Sequence, residues 1–301
     1  EYGLERGTTA NSFLFLPSGD DPALLVHPPG NTFAEPYLEA LARLVPPSTR
    51  LQVVVGHTNP NRVQLLRQLA QGWPHLELIS SNPGAQLLRE LWDQRKPAPP
   101  GTATAAAEPE ALPPLPPLQV VRGEAELQRA AGHNIQLLPT PTPRWPGGLM
   151  AFEQTSGLLM SGKFFAAHLC SEAWAEANRS STEEDRRYFY DCLMAPMVRQ
   201  VEAVLDRIDE LPIRTIAPGH GPAIAESWRS LLVDYRRWGE TQERAKLSVA
   251  LLYASAYGNT AAIADAIAWC QEHGIDPLLR EIGVEVCTAS GDWRTLRFPG
   301  C

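Results

Sequence analysis

VVVGHTNPNRVQLL, residues 53–66, runs an apolar strand into a histidine and then into a polar turn that opens a helix. Strand, His-bearing turn and helix is the order in which many metal-dependent hydrolases and oxidoreductases present their first ligands. The positions after His57, where such a site needs acids and more imidazole, hold Asn59, Asn61 and Arg62 instead. The stretch has the outline of a metal site and the wrong donors for one.

On either side of it, short apolar strands alternate with helical stretches: SFLFL (12–16), ALLVH (23–27), a helix around EPYLEALARLV, LQVVVG (51–56), a helix around RVQLLRQLAQ, and LELIS (76–80). Such alternation is the signature of an α/β fold. From Pro97 to Pro117, eight of twenty-one residues are proline, a composition that supports neither a ladder nor a helix and reads as an inserted loop. Strands resume with LQVVRG, NIQLLP, GLMAFEQ and GLLMSG. A long helix is expected to open at SSTEED, where Ser181 and Glu184 have capping-box spacing, and to kink at Pro196. The strand IRTIAPGHGPAI then ends in a Gly and Pro turn carrying His220.

After a connector rich in Trp and Arg, whose Arg236 and Arg237 read as a solvated face, LSVALLYASAYGNTAAIADAIAWC starts a new unit. Its strand (247–253), small and hydroxyl-rich turn, and helix suit a phosphate, because free backbone N–H groups and the helix dipole favour an anion there. A domain boundary is expected near residue 245.

Composition excludes some partners. A net charge of −8 and a pI near 5.4 argue against nucleic acid, which requires a basic footprint. No apolar run approaches the roughly 20 residues that cross a bilayer. Five scattered cysteines without a CxxC pair suit reduced thiols. The chain starts at Glu1 without a secretory leader, which is read as a trimmed start and a cytoplasmic protein.

The order of these parts resembles the flavodiiron proteins, in which a metallo-β-lactamase-like domain carrying two irons precedes a flavodoxin-like domain carrying FMN. The likeness rests on YGLERGTTANSFLFL, GHTNPNR, RWP (144–146), LLMSGKFFAAHLC, APGHGP and LYASAYGNTAAIADAIA, in family order, and its wording is closest to the cyanobacterial branch of oxygen-reducing electron sinks. The resemblance implies a metallo-β-lactamase-like αββα sandwich over 1–245, interrupted by the Pro-rich loop at 97–117. The start of a flavodoxin-like domain is implied over 246–301. It implies FMN in a full-length protein, with Ser255, Ala256, Tyr257, Gly258, Asn259 and Thr260 around the phosphate. The residues after 245 number 56, short of the roughly 100–150 of a whole domain of that kind.

The family's iron ligands form an HxExDH motif, the His of an HWP triplet, an Asp nineteen residues later, and a last His. Carried over, His57 and His220 keep their identity, while Asn59, Asn61, Arg62, Arg144 and Lys163 replace the other five. Arginine and protonated lysine offer no lone pair. A divalent ion about 5 Å from one such cation feels roughly 6–7 kcal/mol of repulsion at an effective dielectric near 20. The expectation is therefore no iron, and an anion such as chloride or a small oxyanion among His57, Arg62, Arg144, Lys163 and His220.

The function implied is a subunit of a flavodiiron oxygen reductase that departs from the diiron pattern. It would form a homo-oligomer or a hetero-oligomer with an iron-bearing paralogue, with NAD(P)H or ferredoxin as donor. The alternatives are a non-catalytic anion-binding regulatory module and a hydrolase of the same superfamily. The last needs HxHxDH, which Asn59 and Arg62 break.

Overall fold

In the computed structural model, the described residues are 6–94, 112–244 and the strand segments 248–251, 283–287 and 293–296. The chain divides into two compact units, Glu1–Gly239 and Glu240–Cys301.

The first unit holds two five-stranded sheets. One runs β1 (Phe13–Phe15), β2 (Ala23–Val26), β3 (Leu51–Val55), β4 (Leu76–Ser81) and β5 (Leu118–Val121), parallel throughout except for the antiparallel β1 edge. The other has the order β10-β9-β8-β7-β6, comprising β6 (Ala125–Ala130), β7 (His133–Pro139), β8 (Leu149–Glu153), β9 (Leu158–Gly162) and β10 (Thr215–Pro218). Only its β9–β10 pair is parallel.

Strand alternation divides the apolar residues into three layers. Leu24, Val26, Val54 and Ile79 meet Leu137, Leu149, Ala151 and Met160 in the cluster that joins the two sheets. Their neighbours Ala23, Leu25, Val53, Val55 and Leu78 pack with helices α1 (Ala34–Leu44), α2 (Pro60–Gly72) and α3 (Asn82–Trp92). On the far side, Met150, Phe152, Leu159 and Ile216 pack with α4 (Glu183–Phe189), α5 (Val198–Asp209) and α6 (Trp228–Arg244). Helix, sheet, sheet, helix is the αββα sandwich, and period-two burial on both strand faces is what builds it.

Several local expectations need correction. The single long helix opening at Ser181 is instead α4, a π turn (Tyr190–Met194), a 3₁₀ turn around Pro196 and α5. Ser181 and Glu184 form no capping box. Asn178 caps the preceding 3₁₀ turn through Ser181 N, and the Thr182 side chain at the start of α4 does not cap it. Most of the Pro-rich stretch lies outside the described residues, yet its end belongs to the fold. Trp92 Nε1 donates to Pro113 O at 2.8 Å, Leu78 N donates to Pro117 O at 2.8 Å, and Leu115 packs on the helix-side core. Arg236 is no idle surface charge, since it bridges Glu202 and Asp206 of α5.

In the second unit, β11 (Ser248–Leu251) pairs parallel with β12 (Gly283–Cys287), and β12 pairs antiparallel with β13 (Trp293–Leu296). The turn Ser255–Thr260 expected to hold a flavin phosphate lies outside the described residues.

Candidate functional site

The parallel strands of both sheets end at one edge of the sandwich, where crossover connections leave a crevice beyond the carboxyl ends. His27 follows β2, Gly56 and His57 follow β3, Lys163 follows β9, and His220 follows β10. With Arg62 from the first turn of α2, these side chains and backbones line a cavity of about 30 Å³. That volume holds a water or a monatomic ion and no organic substrate.

The α2 entry explains two of the three odd residues in the opening stretch. Asn59 is the helix N-cap, in extended conformation, and its Oδ1 accepts Arg62 N at 2.7 Å, with Pro60 following in the first turn. This fixes the amide's orientation, so Asn59 Nδ2 donates to His57 Nε2 at 3.2 Å. Arg62 then curls back, and its Nη1 donates to His57 O at 2.8 Å. Its Nε is buried without a hydrogen-bond partner.

Across the cavity, His220 Nδ1 donates to Thr9 O at 2.5 Å, which leaves Nε2 as the lone-pair nitrogen. Lys163 Nζ donates to that nitrogen at 2.7 Å. His27, 5% exposed and at φ +58°, donates from Nε2 to Leu149 O at 2.9 Å, and its Nδ1 has no partner. Its ring fits because residue 56 is glycine: a Cβ there would stand 2.3 Å from His27 Nε2.

Burial is the main cause of every pKa change here, and the charges of Arg62 and Lys163 add to it at the histidines. His57 and His220 are each pushed down to about 3, and His27 to about 4. Lys163 falls to about 8 through burial and then the charges of Arg62 and Arg144. Arg62 falls to about 10 through burial, so it stays charged at neutral pH.

The seven positions singled out in the sequence therefore separate. His57, Arg62, Lys163 and His220 line the cavity, and Asn59 stands behind His57. Asn61 is exposed and lies over Gly30, where a Cβ would come within 2.4 Å of its Nδ2. Arg144 is exposed, with its guanidinium 5.7 Å from the Trp145 ring centroid, while Trp145 takes the buried place. The expectation that Arg144 and Asn61 share the pocket is corrected on these grounds. His27 was missed, and a lone histidine closing an apolar strand carries no signal that could have singled it out.

As a metal site the donor set is poor. No carboxylate is among the described residues lining the cavity, and among the described residues no three His, Cys, Asp or Glu side chains converge to hold a metal. The imidazole nitrogens are largely committed to Leu149 O, Asn59, Thr9 O and Lys163.

Residues 8–221 match the profile of the ODP family beta lactamase. A protein named diflavin flavoprotein A 6 from Nostoc sp. strain PCC 7120 is 42% identical over 268 residues, covering 89% of this chain and 43% of its own length. The metal-soaked Flv1 flavodiiron core from Synechocystis sp. PCC6803 is 35% identical with a TM-score of 0.73, over 97% of this chain and 66% of that one. The diflavin flavoprotein A 5 fragment 1–254 from Nostoc sp. PCC 7120 is 33% identical with a TM-score of 0.68, over 81% of this chain and 86% of that one. The chain thus spans less than half the length of the curated diflavin flavoproteins it matches. With 214 residues inside the family profile and two-fifths identity to these relatives, the chain belongs to the flavodiiron proteins, in their ODP-type β-lactamase-like part.

Proposed function

We propose that this chain is the metallo-β-lactamase-like part, with the start of a flavodoxin-like part after residue 245, of a flavodiiron oxygen-reductase subunit whose iron pocket has become an anion pocket. One observation carries the reading: Arg62 and Lys163 line the cavity together with His57 and His220, and none of its described lining residues is a carboxylate. A pair of irons needs carboxylates for lone pairs and charge compensation, so these residues do not fit the metals. No chemical step is assigned to iron in this chain.

A chloride-sized anion fits the same residues. Arg62 keeps its charge, Lys163 is mostly protonated at pH 7, and the positive end of the α2 dipole opens beside them. An oxyanion of several heavy atoms exceeds the cavity unless its walls move.

In this reading FMN is held through Ser255, Ala256, Tyr257, Gly258, Asn259 and Thr260. The flavin would supply electron transfer from NAD(P)H or ferredoxin, and an iron-bearing paralogue within the oligomer would supply the site at which oxygen is reduced to water. This subunit supplies docking surface and flavin. No described helix is long and apolar enough to cross a membrane, and Cys170 and Cys192 are free and exposed, which supports a cytoplasmic setting.

The test is the iron, zinc and flavin content of the full gene product, with oxygen consumption measured alone and with an iron-bearing paralogue. Bound flavin without iron, and faster consumption in the mixture, supports the proposal. Two irons per chain overturns it, absence of both groups favours the regulatory module, and stoichiometric zinc favours the hydrolase.

A further inference from the structure

Arg186, on α4, is 2% exposed and lies outside the cavity. Its guanidinium donates to Phe165 O, to Pro222 O at 3.1 Å and to Glu176 Oε2 at 3.0 Å. Its Nε adds Thr182 Oγ1 at 3.2 Å. Glu176, whose side chain is also buried, accepts Thr182 Oγ1 at 2.7 Å and the Ser227 hydroxyl as well.

The two carbonyls are not arbitrary. Phe165 stands two residues after Lys163, and Pro222 two residues after His220. One planar guanidinium thus ties together the two turns that carry the Lys163–His220 hydrogen bond. Backbone bonds run alongside, with Gly219 N donating to Gly162 O at 2.6 Å and Ala167 N to His220 O at 3.1 Å. Phe165 itself has φ +61°, a left-handed conformation that a bulky side chain rarely adopts. It is held from both ends: Arg186 takes its carbonyl, and the Tyr235 hydroxyl accepts its N–H at 3.0 Å.

We infer that Arg186 is a positioning residue. Anchored by Glu176, it fixes the spacing of the two turns and so sets the Lys163–His220 contact and the cavity's affinity for its anion. The affinity half rests on the anion-pocket reading above; the spacing half does not.

Arg186→Lys tests it in the full chain. Lysine keeps a positive charge against Glu176, but a point donor cannot span two carbonyls and a carboxylate in one plane. The ¹⁵N resonance of His220 Nε2 is expected to move toward that of a free imidazole nitrogen, and bromide affinity to fall about tenfold. Tyr235→Phe, which removes only the partner of Phe165 N, should shift both readings in the same direction and less. Arg236→Lys, at a side chain bonded to Glu202 and Asp206 of α5 rather than to either turn, should shift neither.

A folded Arg186→Lys protein with the wild-type His220 resonance and bromide affinity within twofold overturns the inference. If the wild type binds no bromide, the anion reading fails, and the His220 resonance still decides the spacing claim. If Arg186→Lys does not fold, an unchanged resonance in Tyr235→Phe overturns it instead.

Discussion

Arg62 and Arg186 are both cations drawn in from solvent, Arg62 half-buried and Arg186 fully buried, and they are treated in opposite ways. Arg186 faces a buried carboxylate, two carbonyls and a hydroxyl, and those partners offset part of the burial that lowers its pKa. Arg62 reaches one carbonyl, leaves its Nε unpartnered, and makes no ion pair among the described residues. A buried charge is tolerated when paired or when something else supplies the opposite sign. The matched cation ties two turns together, whereas the unmatched one, beside Lys163, is where we propose that an anion binds.

The sharpest way to break this contrast is to unpair Arg186. Glu176→Ala strands a buried guanidinium and should cost about 3–5 kcal/mol in urea unfolding. A loss below about 1 kcal/mol would show that the two cations are not different in kind.

Titration separates the two regions next. Folded His27, His57 and His220 hold their protons only near pH 3–4, against 6.5 when unfolded. The unfolded chain therefore binds more protons below pH 6.5, and stability falls as pH drops through that window. Lys163 works at the other end. Its pKa is about 8 when folded and 10.5 when unfolded, so stability rises with pH between those values, by on the order of 3 kcal/mol. Lys163→Met should remove the alkaline rise and leave the acid limb. Bromide should raise the melting temperature most below pH 8 and progressively less above it, as the ammonium is lost.

Gly56→Ala comes third. The added methyl meets the His27 ring at 2.3 Å and Leu149 O at 2.7 Å, so about 1–3 kcal/mol of overpacking is expected, with loss of the His27–Leu149 bond visible by NMR. The smallest effect is expected for Arg62→Leu. Removing an unmatched cation should change stability in anion-free buffer by about 1 kcal/mol or less, or raise it, while abolishing stabilisation by bromide. The same substitution at a matched cation would be costly.

Much of the sandwich was legible because strand period and helix period are local properties of the chain. The strands 12–16, 23–27, 51–56 and 76–80 lie within a residue or two of β1 to β4. What was missed needed tertiary contacts. α3 is cued by Ser81 and Pro83 at its start, yet the β4 run flows into it without a break. Glu183 and Glu184 suit a helix start, but competition from Asn178 moved the cap upstream.

At the site, nineteen-residue spacing and family order picked out Lys163 and His220, which the fold brings to 2.7 Å. They could not say that Trp145 takes the inward place and leaves Arg144 outside, nor that Asn61 faces Gly30. Arg186 and His27 were invisible for the same reason. Their importance comes from partners far along the chain, Phe165 and Pro222 for one and Leu149 for the other.

The most direct measurement is anomalous diffraction from crystals of the full gene product grown with bromide and ferrous iron both present. One bromide peak beside Arg62 and Lys163 is expected, with no iron peak near His57 or His220. Two iron peaks bridging those histidines, with no bromide between the cations, would contradict that expectation.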